Sequence, residues 1–95
     1  ASSPTRTVAG LKSFKQKVIL ISGGYDKKIP FEELAEGGID KIKTLVVMGM
    51  TKEKIKQAFN EEFTIRNISI PIIEADSLEE AVQKSFRAAS EGDII

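Results

Sequence analysis

The sequence predicts a doubly wound α/β domain, Rossmann-like and three layers deep, with a mainly parallel sheet of about four strands in the order 3-2-1-4. Three observations carry that prediction. The runs Lys17 to Ser22 and Thr44 to Gly49 are almost continuously apolar rather than alternating, as strands covered on both faces are. Segments with apolar residues at helical spacing separate these runs, and a strand, helix, strand order forces parallel pairing with right-handed crossovers. Glycines close both runs, at Gly23-Gly24 and at Gly49, where a strand has to give way to a loop.

Each element follows from local signals. Ser3 and Pro4 read as an N-cap and first helical position, and Val8, Leu11 and Phe14 extend a helix from about 4 to 14, weakened by Gly10. The hydroxyls of Ser2, Ser3, Thr5 and Thr7 are read first as cap and exposed helix positions. The first strand leads through the Gly23 to Lys28 loop into a short helix over Phe31 to Glu36, with Pro30 at its start and Gly37-Gly38 at its end. Glu32 and Glu33 in its first turn complement the helix dipole. After the second strand, Thr51 caps a helix through about Glu62 with Ile55, Ala58 and Phe59 on one face, while Lys52, Lys54 and Lys56 read as a solvated face. Phe63 to Ile70 reads as a loop leading to the third strand, Pro71 to Glu74. Ser77 and Glu80 form a capping box for a last helix that continues through Ala89 and ends at Gly92. Asp93-Ile94-Ile95 begins a fourth strand.

Composition narrows the function classes. The 95 residues, 41% hydrophobic and 29% charged, suit one small globular domain. Fourteen basic and fourteen acidic residues cancel, so no global field draws the chain to nucleic acid or an acidic membrane, and any anion binding has to be local. Zero cysteine and zero histidine remove thiolate chemistry, imidazole ligands and the usual general base. No metal site, catalytic triad or transmembrane segment is expected, and a cytoplasmic location is the default.

The corner from Ile19 to Phe31 is the candidate site. A strand that ends in a glycine turn and feeds a helix favours a bound anion, since loop amides are left to donate and Lys27 can add a full charge. Gly23, Gly24 and Asp26 supply the loop backbone, and phosphate, sulfate or carboxylate would each satisfy it. The alternative for Gly23-Gly24 is a tight turn that needs positive φ, and for Lys27 a solvated surface lysine. Neither the third glycine of the dinucleotide fingerprint nor a lysine followed by serine or threonine is present, so no nucleotide motif is complete. Asp76 and Asp93 are explained by turn chemistry without a metal.

The block from Val18 to Leu34, with its Gly23-Gly24-Tyr25-Asp26-Lys27 core, closely resembles the start of the C-terminal domain of the Mur ligases in their D-glutamate-adding branch. Ala1 to Leu11, Ala75 to Val82 and Glu91 to Ile95 agree in the same order, so the resemblance covers essentially the whole chain. It implies a parent enzyme that activates UDP-N-acetylmuramoyl-L-alanine with ATP and magnesium as an acyl phosphate, which the amine of D-glutamate then attacks. It further implies that Lys27 pairs with a D-glutamate carboxylate and that Ser2, in place of a threonine, contacts the same substrate through its hydroxyl. Tyr25 and Lys28 occupy variable loop positions and carry no assigned role. The family's aspartate and lysine before Ala1 and its serine-containing loop after the fourth strand have no counterpart here. The expectation is a truncated domain over 1–95 that packs on a central ATPase domain and is inactive alone, with ATP and magnesium held mainly elsewhere. Two other readings stand beside it. One is a domain of another Mur-type or folylpolyglutamate-type ligase; the other is a non-catalytic doubly wound binding or interaction module.

Overall fold

The computed structural model describes residues 4–23 and 31–95. Helix α1 spans Pro4–Lys12, strand β1 Val18–Gly23, helix α2 Phe31–Gly38, strand β2 Ile42–Met48, helix α3 Lys52–Arg66, strand β3 Ile72–Ala75 and helix α4 Leu78–Ala88. A short 3-10 turn, Ile39–Lys41, joins α2 to β2. The predicted α/β class and parallel pairing are what the chain adopts.

Among the described residues the sheet has three strands in the order β1-β2-β3, all parallel, which matches the 3-2-1 part of the expected 3-2-1-4 arrangement and corrects its strand count, since the fourth strand does not form. The residues expected to open a fourth strand contribute one isolated parallel bridge, Val18 to Ile94, with the Ile19 amide donating to the Ile94 carbonyl at 2.8 Å. A strand needs several successive residues in register, and this segment brings only one to the β1 edge.

Strand alternation divides the core. Val18, Leu45 and Val47 join Leu11, Leu34, Ile55 and Phe59 on the face covered by α1, α2 and α3. Ile19, Val46 and Ala75 join Ala81 of α4 on the opposite face. This is the three-layer arrangement, with β2 buried between both helix layers: Leu45, Val46 and Val47 are each fully enclosed.

Several boundaries move for identifiable reasons. Helix α1 stops at Lys12 because its end tightens, with the Ser13 and Phe14 amides donating to Gly10 and Leu11 three residues back. Gly37 and Gly38 lie inside α2 rather than stopping it. A Cβ would stand 3.0 Å from a Val8 methyl at Gly37 and 2.9 Å from Leu11 Cδ1 at Gly38, so these glycines let α1 sit close on α2. The stretch read as a loop from Phe63 is helical to Arg66. There Asn67 takes the left-handed conformation (φ 54°), and both its amide and that of Ile68 donate to the Phe63 carbonyl, a Schellman-type closure. Arg66 fixes this end by binding the Glu62 carboxylate at 2.9 Å, Asp40 at 3.2 Å and the Glu36 carbonyl at 2.7 Å.

At α4 the predicted cap forms, with the Ser77 hydroxyl accepting from the Glu80 amide at 3.1 Å. Helix α4 ends at Ala88, so Gly92 does not close it. Gly92 (φ 87°) instead sits in a turn where the Ser90 amide donates to the Asp93 carboxylate at 2.7 Å and the Asp93 amide to the Ser90 carbonyl at 3.0 Å.

Candidate functional site

The carboxyl ends of the three strands form one edge of the sheet, and register places Gly23, Met48 and Ala75 side by side along it. In open parallel sheets this edge is where ligands bind. Gly23 is here for want of space. A Cβ on it would lie 2.3 Å from the Met48 carbonyl oxygen and 2.7 Å from Met48 Cγ. Among the described residues only Gly49 and Gly92 are glycines with positive φ, so the turn explanation does not apply to Gly23 itself. The glycine lets the end of β1 approach β2.

Of the residues expected to bind ligand, Gly23 alone is described; Ser2, Gly24, Asp26 and Lys27 lie outside the described residues. The charges near the β2 and β3 ends are matched to each other. Lys52 Nζ stands 3.8 Å from Glu74 and 3.7 Å from Asp76, while Lys56 Nζ binds Glu74 at 3.0 Å and approaches Glu53 at 3.8 Å. The lysine face read as solvated is thus partly neutralised by β3, and its half-buried stems cover the helix and strand beneath. Sequence spacing gave no signal for this pairing, because Glu74 meets α3 only through the sheet.

The carboxylates that shift do so for local reasons. The Lys56 ammonium holds Glu74 below its ordinary pKa, Lys84 does the same to Glu80, and Lys43, at 2.6 Å, with the Ser90 amide lowers Asp93. A carboxylate kept ionised by native partners stabilises the fold above its ordinary pKa, and that contribution disappears as pH falls through the lowered native value. Loss is therefore expected to begin below 4.5 for the two glutamates and below 3.8 for Asp93. Urea midpoints should fall as pH drops from about 5 to about 3. A midpoint that stays flat over that interval would show that these pairs contribute nothing.

Among the described residues no group of three histidine, cysteine, aspartate or glutamate side chains could hold a metal ion, and no helix is long and apolar enough to cross a membrane.

No family model matches the chain. Individual proteins do. It is 57% identical over all 95 residues to the UDP-N-acetylmuramoylalanine--D-glutamate ligase of Clostridium acetobutylicum, and 58% and 59% identical over the same length to the ligases of that name from Clostridium novyi and Clostridium kluyveri. The chain belongs to this Mur ligase family. The match includes the Gly23 to Lys28 loop and the corner around it, because it runs the full length of the chain. The chain spans 21% of the length of these ligases, so it carries a part of what such a protein contains. Membership agrees with the observed fold, a Rossmann-like parallel sheet with helices on both faces.

Proposed function

We propose that the chain is the D-glutamate-binding portion of an ATP-dependent ligase that adds D-glutamate to UDP-N-acetylmuramoyl-L-alanine in peptidoglycan synthesis. The observation that carries this reading is identity of 57–59% across the whole chain to ligases named for that reaction. The fold supports it, since Gly23 opens the loop at the ligand-binding edge of the sheet.

In this reading the Lys27 ammonium pairs with a carboxylate of D-glutamate, the amides of the Gly23 to Asp26 loop add donors, and the Ser2 hydroxyl contacts the same substrate. Their joint task is positioning. The substrate amine has to stand within reach of an activated carboxyl carbon, and a fixed carboxylate at the far end of D-glutamate orients it. The carboxyl activation, as an acyl phosphate made with ATP and magnesium, takes place on parts of the enzyme outside this chain. When the amine forms the amide bond, phosphate leaves and the amine gives up a proton.

Titrating the isotopically labelled chain with D-glutamate tests the site. Amides from Gly23 to Lys28 and at Ser2 should shift first, L-glutamate should act more weakly, and Lys27→Ala should abolish the response. Shifts confined to the Lys52 to Lys56 face would overturn the assignment. The chain by itself is expected to form no ADP when given ATP, magnesium and D-glutamate, and a measured release of ADP would contradict that.

A further inference from the structure

The two outer edges of the sheet are finished differently. On β3, the Leu45 amide donates to the Pro71 carbonyl at 3.0 Å. In a parallel ladder that places the backbone groups of Pro71, Ile73 and Ala75 toward β2 and turns those of Ile72 and Glu74 outward. The outward Glu74 carbonyl accepts a hydrogen bond from Lys84 Nζ at 2.6 Å. Lys84 comes from α4, crosses the sheet edge, and is itself held by the Glu80 carboxylate at 2.7 Å. From the opposite layer, Lys56 of α3 binds the Glu74 side chain at 3.0 Å, with Lys52 at 3.8 Å. One edge residue is therefore flanked by ammonium groups from both helix layers.

The β1 edge has no such arrangement among the described residues. Among the described residues its outer side makes one backbone bridge, to Ile94, beside an apolar cavity of about 310 Å³ lined by Leu11, Phe14, Val18, Ile21, Ile94 and Ile95.

We propose that Lys84, assisted by Lys56, is an edge guard that prevents β3 from pairing with the β3 strand of a second copy of this chain. An exposed edge strand is a template for another strand, and lysine across it is a recognised way to block pairing. An incoming strand has to displace Lys84 from the Glu74 carbonyl and desolvate the ammonium groups on either side, while gaining few backbone hydrogen bonds from so short a strand. Lys84 is suited to this position because Glu80, one helical turn before it, orients its side chain toward the edge.

The test compares the chain with its Lys84→Met and Lys56→Met/Lys84→Met variants by sedimentation velocity over a concentration series, together with hydrogen exchange at single amides. The double variant should self-associate about tenfold more tightly, with exchange at the Ile72 and Glu74 amides slowed as concentration rises. Lys84→Arg, which keeps a charged donor, should behave as the parent chain. Unchanged association, or slowing confined to the Ile21 and Gly23 amides on the β1 edge, would overturn the proposal. If circular dichroism shows a Met variant to be unfolded, Lys84→Gln, too short to reach the carbonyl, takes its place with the same expected outcome.

Discussion

Phe59→Ala is expected to lower stability by about 3–5 kcal/mol, the range for removing a fully buried phenylalanine from a core that only partly collapses. Phe59 has no exposed surface and sits among the residues that join α2, α3 and the sheet. Its ring also stands 6.4 Å from that of Phe63 at 59°, a tilted pair that alanine removes. Domains of this size hold about 5–15 kcal/mol in total, so the variant should melt more than about 12 °C lower and sit close to unfolding at ambient temperature. Phe86 supplies the control. It is 68% exposed on α4, and its replacement by alanine should change stability by no more than about 0.5 kcal/mol. Thermal melts of the two variants side by side check the assignment, and equal losses would mean that α3 is not packed as described.

Gly23→Ala is expected to have the second largest effect, and to damage the candidate site more than the fold. The new methyl would meet the Met48 carbonyl oxygen at 2.3 Å, and that oxygen belongs to the central strand and cannot swing aside as a side chain does. Relief requires the end of β1 to separate from β2. Overpacking of this kind costs about 1–3 kcal/mol, and the rigid obstacle places Gly23 toward the upper end. A displaced strand end shifts the start of the candidate site, so the response proposed for D-glutamate should vanish while circular dichroism still reports a folded chain. Gly10→Ala should do the opposite. Among the described residues nothing lies within 4 Å of a Cβ there, and alanine in a helix interior gains about 0.5–1 kcal/mol over glycine. A Gly23→Ala chain that kept both its stability and its ligand response would refute the close-approach role.

The apolar runs at Val18 to Ile21 and Leu45 to Met48 were legible as buried parallel strands because covering both faces leaves no polar alternation. Ser77 was legible as a cap because capping is decided within a single turn. The end of α3 was not legible. Ile65 and Ile68, at 75% and 42% exposure, interrupt the helical apolar pattern, and what holds this end is Arg66 reaching Asp40 and Glu36 across the chain. The candidate site was legible mainly through the resemblance of its glycine loop. Of its residues the structure adds a physical reason for Gly23, while Ser2, Gly24, Asp26 and Lys27 lie outside the described residues.

Sequence alone determined the α/β class, the parallel direction of the strands, the helix starts and the family, because each depends on periodicity, short-range capping or direct residue matching. Tertiary structure decided the rest. It showed that Gly23 is needed for contact with Met48 rather than for a positive φ. It showed that Gly37 and Gly38 make room for α1, that the segment at Ile94 forms a bridge rather than a strand, and that lysines of α3 and α4 converge on Glu74. The reason is common to all four. Each depends on distances between segments far apart in the chain, and those distances exist only once the sheet has set its register and the helices have packed against it.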